Sequence, residues 1–170
     1  GMRERTITIN SLSKTYSVTG WRVGYVLAPE EVTDGVRKVH DFLTVGAPAP
    51  LQEAAAAALS LPDAYYADLA AMYQAKRELL QGYLQRAEIP FIEPQGAYYI
   101  MADVSGFGAS NDVDFAMRLV REHGVATVPG SSFYHSSGMG GKGKGGRDFI
   151  RFTFSKKDET LHDAGERLLG

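Results

Sequence analysis

Cysteine is absent from the 170 residues. That excludes a disulfide framework and a thiolate metal site, and it leaves the cytoplasm as the compatible compartment. Long hydrophobic runs are missing as well: the longest, Ala54 to Leu59, falls far short of the roughly 20 residues that cross a bilayer. No basic start leads into an apolar stretch, so neither a secretory signal nor a membrane partner is expected. Charge of one sign is not in excess either. The 18 Lys and Arg against 20 Asp and Glu leave a formal charge of −2, which offers no basic field for a nucleic-acid partner. The histidines, His40, His123, His135 and His162, show no metal-ligand spacing and read as surface or helix-end residues, so no metal is expected.

What remains is an ordinary globular composition, 44% hydrophobic and 22% charged. A chain of this length buries roughly 68–70% of the surface its unfolded form exposes, enough for a real core. Glycine is concentrated between Gly130 and Gly146. The stretch Gly138 to Gly146, with Lys142 and Lys144, does not sit between a strand and a helix start. It therefore reads as a flexible loop on the active-site side rather than a phosphate loop. Gly1 ahead of Met2 reads as an appended residue, with Met2 the expected natural start.

The pattern along the chain predicts an α/β fold. Thr6 to Asn10 and Trp21 to Ala28 are β-rich and flank a polar loop, Ser11 to Gly20. Pro29 opens a helix with Val32, Val36, Val39 and Leu43 on one face, and Gly46 to Pro50 breaks it. An Ala-rich helix follows to Leu59, then a long helix from Pro62 and Asp63 that ends before Pro90. In the long helix, Lys76 is expected to lay its stem along the apolar face. Beyond it come short units: a strand at Gly96 to Met101, a helix capped by Asn111 and Asp112 that stops at Gly124, strands at Val125 to Val128 and Phe149 to Phe154, and a closing helix from Asp158 to Leu169. Trp21 is expected to be a core anchor beside the polar loop. Tyr98, Tyr99, Phe133 and Tyr134 fit either a pocket lining or strand packing.

Chemistry concentrates in Ser11 to Tyr25, SLSKTYSVTGWRVGY. One lysine, several hydroxyls and one arginine between two apolar strands can converge on an anion. Lys14 is a candidate nucleophilic amine, with Arg22 and Ser11 as candidate phosphate ligands. Taken alone, the loop reads first as a solvated hairpin connection whose Lys and Arg keep it soluble. Its Ser-x-Ser-Lys followed by Gly-x-Arg-x-Gly, however, resembles the cofactor-lysine segment of the class I and II aminotransferases, pyridoxal-phosphate enzymes of fold type I. His123 to Tyr134, HGVATVPGSSFY, and Asp148 to Leu161, DFIRFTFSKKDETL, resemble the small-domain ending of the same enzymes. GAPAPLQEAAAAAL, QAKRELL and KKDETL are most similar to the kynurenine, glutamine and methionine aminotransferase branch.

The resemblance implies that Lys14 carries pyridoxal 5'-phosphate covalently and acts as general acid and base. Ser11, Ser13 and Arg22 would bind the phosphate, and Arg151 would hold the substrate α-carboxylate with its planar fork. It implies amino-acid and 2-oxo-acid substrates and a homodimer. The domains it implies are a remnant of the large cofactor domain over 1–60, a connecting helix over 61–89 and a small α/β domain over 90–170. In the family an Asp-x-x-Tyr segment before the lysine supplies the carboxylate for the pyridine nitrogen, and Gly1 to Ser13 contains no Asp. The chain is thus expected to be a C-terminal portion with weakened catalysis by itself. The alternatives are a non-catalytic truncated domain that folds and self-associates and, without a helix-turn-helix in view, the sensor half of a transcription regulator.

Overall fold

The computed structural model describes residues 1–134 and 145–170. The expectations placed on His135, Lys142 and Lys144, and on all of Gly138 to Gly146 except its last two glycines, lie outside the described residues. The chain divides into two compact units, Gly1–Tyr65 and Tyr66–Gly170.

The first unit pairs β1 (Thr8–Ser11) antiparallel with β2 (Gly24–Leu27), with Ser11 opposite Gly24. Gly24 is required there, because a Cβ would run into the Asn10 carbonyl oxygen and lie 3.3 Å from the Ser11 Cα. Helix α1 (Glu30–Thr44) starts after Pro29 with Glu30 and Glu31 at its positive end. Helix α2 (Ala49–Leu59) has Pro50 in its first turn, where a missing N–H costs nothing. The core of this unit is small: Leu12, Val23 and Ala55, with Tyr16, Val18, Ala47, Leu51 and Ala58 packed against them. It cannot enclose every apolar side chain. Ile9 is 76% exposed and Phe42 93%. Trp21 corrects the expectation of a core anchor: it is 39% exposed, because a core of three buried side chains leaves no room to enclose an indole.

Helix α3 (Asp63–Arg86) begins in the first unit and runs into the second. The second unit has a four-stranded antiparallel sheet in the order β3 (Phe91–Ile92), β4 (Tyr99–Asp103), β6 (Phe149–Thr153), β5 (Val128–Pro129). β4 and β6 alternate between buried and half-buried residues, which is the period-two signature of a sheet covered on one face. Ile100, Ala102, Ile150 and Phe152 point inward and join Leu80 and Leu84 of α3, Phe115, Ala116 and Leu119 of α4 (Asp112–His123) and Leu161 of α5 (Asp158–Leu169). Among the described residues the α-helices pack on this inner face, giving a two-layer α/β unit whose other face carries Tyr99, Met101, Arg151 and Thr153.

Local chemistry explains the boundaries. The Asn111 side chain accepts from the Asp114 amide at 3.0 Å and caps α4, and Gly124, at φ +67°, closes it. The cap takes the Val125 amide to the Leu119 carbonyl at 3.2 Å, so the strand expected at Val125 to Val128 begins only at Val128. The strand expected from Gly96 starts at Tyr99, after a turn in which Ala97 has φ +58°. β3 leaves no signal in the sequence, because it is two residues long, too short to show an alternation. Lys76 does run along the apolar face, with 14% of its side chain exposed and its Nζ donating to the Lys156 carbonyl at 2.7 Å.

Candidate functional site

The sequence-predicted residues Ser11, Ser13, Lys14 and Arg22 sit together in the connection between β1 and β2. Leu12 and Val23 anchor its two ends in the core and pair through the Leu12 amide and Val23 carbonyl at 3.2 Å. Between them the chain folds back on itself: the Tyr16 amide donates to the Leu12 carbonyl at 3.3 Å and the Val18 amide to the Ser13 carbonyl at 3.0 Å. The Tyr65 hydroxyl donates to the Thr15 carbonyl at 2.6 Å, and the Tyr65 and Tyr16 rings stack with centroids 5.8 Å apart. Lys14 is therefore presented from a braced loop rather than from a loose hairpin tip.

The polar side chains form a chain of contacts. Ser13 is buried and receives the Ser11 hydroxyl at 2.7 Å, while its own amide donates back to Ser11 Oγ at 3.1 Å. Lys14 Nζ donates to Thr19 Oγ1 at 3.4 Å, and the Thr19 hydroxyl donates to the Ser13 carbonyl at 3.2 Å. Arg22 Nη1 donates to the Thr19 carbonyl at 3.2 Å. Thr19 thus links the lysine to the arginine, a role that no motif position marked in advance. Arg22 itself sits at φ +56°, a left-handed conformation that costs a non-glycine residue about 1–2 kcal/mol and turns its side chain back along the loop.

Arg151 lies in the second unit, on the outer face of β6, opposite Met101 on one side and Val128 on the other. Tyr99 is its diagonal neighbour across β4, and the Arg151 guanidinium carbon lies 3.9 Å from the centre of the Tyr99 ring. The Phe133 ring centre is 4.3 Å from the same carbon. Among the described residues no carboxylate lies within ion-pair distance of Arg151. Two ring contacts of this kind hold a guanidinium through its π surface and leave its N–H fork available to a planar anion. Tyr98 stacks on Tyr73 with ring centroids 5.8 Å apart, and its ring centre lies 4.6 Å from that of Tyr99; burial pushes its hydroxyl pKa above the ordinary tyrosine value, and the hydrogen bond with Tyr99 adds to the rise. Tyr134 is 62% exposed. Of the aromatic residues singled out from the sequence, Tyr99 and Phe133 are the two that meet a functional candidate.

His40 is exposed on α1, His123 ends α4, and His162 is exposed on α5, where its Nδ1 lies 2.9 Å from the Tyr83 hydroxyl. Among the described residues no group of three His, Asp or Glu side chains could hold a metal ion, and no helix is long and apolar enough to cross a membrane.

The family model for aminotransferase class I and II matches residues 1–168. A kynurenine–oxoglutarate transaminase of Dictyostelium discoideum is 39% identical over 99% of this chain. A methionine aminotransferase of Escherichia coli is 36% identical over 98% of it. In each case the chain spans 42% of the relative's length. Among solved structures, a methionine aminotransferase of Escherichia coli superposes with a TM-score of 0.87 at 36% identity, covering 99% of this chain and 43% of that one. The N-succinyldiaminopimelate aminotransferase of Mycobacterium tuberculosis gives 0.89 at 35% identity, covering 99% and 42%. These matches fit an α/β chain that corresponds to a C-terminal portion of the fold type I architecture. On the strength of both its sequence and its fold, this chain belongs to the class I and II aminotransferases.

Proposed function

We propose that this chain carries the cofactor lysine and the substrate-carboxylate arginine of a pyridoxal-phosphate-dependent aminotransferase acting on an amino acid and a 2-oxo acid. The observation that carries the reading is the gathering of Lys14, Ser11, Ser13, Thr19 and Arg22 through direct contacts in one braced loop. The hydroxyl pair and the arginine fork suit a phosphate monoester, and the exposed amine of Lys14 suits an aldehyde. Residues 1–60 are read as the remnant of the large cofactor domain, 61–89 as the connecting helix and 90–170 as the small domain, in a cytoplasmic homodimer.

In this reading Ser11, Ser13 and Arg22 bind the phosphate of pyridoxal phosphate, and Lys14 holds the cofactor covalently through Nζ. When bound, the cofactor supplies an electron sink for the negative charge left at the substrate α-carbon. The Lys14 Nζ amine would move the proton at that carbon, so one amine would serve as anchor and as acid and base. Thr19 Oγ1 orients Nζ, and Arg151 binds the α-carboxylate through its N–H fork.

A second reading has its own support. Ile9, Phe42 and Leu43 in the first unit are largely exposed, which suits a domain that associates with another protein surface without turning over substrate. A transfer assay separates the two. With pyridoxal phosphate, an L-amino acid and a 2-oxo acid, the first reading expects amino transfer above the rate with free cofactor, abolished by Lys14→Ala. A rate equal to that of free cofactor supports the non-catalytic domain.

A further inference from the structure

Asp112 is the most deeply buried charged side chain of the described residues, 1% exposed, and nothing in the proposed reaction uses it. Burying a carboxylate is expensive unless it is compensated by strong hydrogen bonds. Capping α4 does not account for it, since Asn111 is the cap. Asp114, the other acidic residue of the first turn, accepts from the Ser110 amide at 3.2 Å and the Ser110 hydroxyl at 3.1 Å. Asp112 points elsewhere: its Oδ2 accepts from the Ser131 amide at 2.7 Å, the length of a charge-assisted hydrogen bond.

Ser131 belongs to a single 3-10 turn, Gly130–Phe133. The turn is pinned at its start by backbone against backbone. A Cβ on Gly130 would lie 2.6 Å from the Phe149 carbonyl oxygen, and one on Gly146 would lie 2.5 Å from the Gly130 carbonyl. At its far end it delivers Phe133 onto the Arg151 guanidinium. Phe133 is 48% exposed, so burial does little to fix its ring, and its place over Arg151 depends on the backbone that carries it.

We propose that Asp112 is a positioning residue for the Arg151 site: through the Ser131 amide it fixes the Gly130–Phe133 turn, which holds the Phe133 ring on the guanidinium and presets the N–H fork for a planar carboxylate. The consequence for carboxylate binding rests on the reading of Arg151 given above; the link from Asp112 to the Phe133–Arg151 contact does not. The burial of Asp112, its short bond to Ser131 and the ring contact are three separate observations along one short path.

NMR spectroscopy of the full chain tests the link. Rings stacked on a guanidinium shift the Arg151 δ-methylene protons upfield, and Phe133→Ala defines the part that Phe133 contributes. Asp112→Ala is expected to move the Arg151 signals most of the way to their positions in Phe133→Ala. Asp112→Asn, which keeps an acceptor at the same reach, is expected to leave them near wild type. Asp112→Ser guards against misfolding, because serine suits the first turn of a helix while its hydroxyl is too short to reach the Ser131 amide; it is expected to behave as Asp112→Ala does. Arg151 signals that stay at the wild-type position in folded Asp112→Ala or Asp112→Ser, while moving in Phe133→Ala, overturn the proposal. Pyruvate titrated into the same samples is expected to bind roughly two- to fivefold more weakly to Asp112→Ala, the range set by losing one ring contact on a guanidinium. If pyruvate leaves the Arg151 signals of the wild type unmoved, the carboxylate reading of Arg151 fails, and the variant spectra still decide the role of Asp112.

Discussion

Replacing Gly130 by alanine tests whether the turn beside Arg151 is as tightly held as its contacts imply. The new methyl would meet the Gly146 and Phe149 carbonyl oxygens, the second at 2.6 Å, and both are backbone atoms that a rotamer change cannot move aside. Overpacking of this kind costs about 1–3 kcal/mol. If the turn relieves it by moving outward, the Ser131 amide leaves the buried Asp112 carboxylate, and a hydrogen bond to a charged group is worth about 1.5–3 kcal/mol. Either route gives a loss of about 1–3 kcal/mol, a sizeable part of the roughly 5–15 kcal/mol that holds a domain folded. With urea slopes of about 1–3 kcal/mol per molar, the midpoint should fall by on the order of 1 M. The transition is best followed by far-ultraviolet circular dichroism, because the single tryptophan, Trp21, reports on the other unit. Gly82→Ala is the companion variant: its Cβ would meet nothing within 4 Å on α3, and it should gain up to about 1 kcal/mol of helix propensity. A Gly130→Ala midpoint equal to wild type would refute the clamped turn and weaken the case that Phe133 is held in place.

Two further expectations follow from the same unit. Gly165 of α5 lies under the Tyr83 ring of α3, and a Cβ there would overlap ring carbons, so Gly165→Ala should destabilise by about 1–3 kcal/mol despite its better helix propensity; in a Tyr83→Ala background the same change should become stabilising, which a double-mutant cycle in urea measures. The Ser105 hydroxyl and amide hold the Asp103 carboxyl below the usual range, and the Ser110 amide and hydroxyl do the same for Asp114. Depressed carboxyl pKa values stabilise the fold above the unfolded value of about 3.9, and that contribution is lost as pH falls through the lower folded values. Acid unfolding curves of Asp103→Asn and Asp114→Asn should therefore be flatter than wild type below about pH 4, and curves parallel to wild type would contradict the hydrogen bonding described.

The parts of the site that lie within one stretch of chain were legible from the residues. Ser11, Ser13, Lys14 and Arg22 fall between two recognisable strands, and the loop that joins them had to bring them close. Arg151 was legible as a residue of an alternating strand, and its outward side follows from the apolar residues on either side of it. The companions of Arg151 were not legible, because Tyr99 reaches it through the register of β4 on β6 and Phe133 through a turn whose path is set at Gly130 and Gly146. Asp112 reads in sequence as a helix-start residue, and only the fold shows its carboxylate turned inward to Ser131. Trp21 stays half-exposed for a physical reason too: aromatic residues go to a core when there is one large enough, and the first unit has three buried side chains in its cluster. The strand boundaries at Tyr99 and Val128 shifted because a left-handed residue, Ala97, and a helix cap, Gly124, took the preceding residues.

Whether Lys14 takes the cofactor is read out by reductive trapping. The chain is incubated with pyridoxal phosphate, reduced with borohydride, digested and mapped by mass spectrometry. The phosphopyridoxyl group is expected on Lys14 well above every other lysine, with the enrichment lost in Arg22→Ala because the phosphate end is no longer held. Label spread evenly over the surface lysines, with Lys14 no more modified than Lys38 or Lys157, would contradict it.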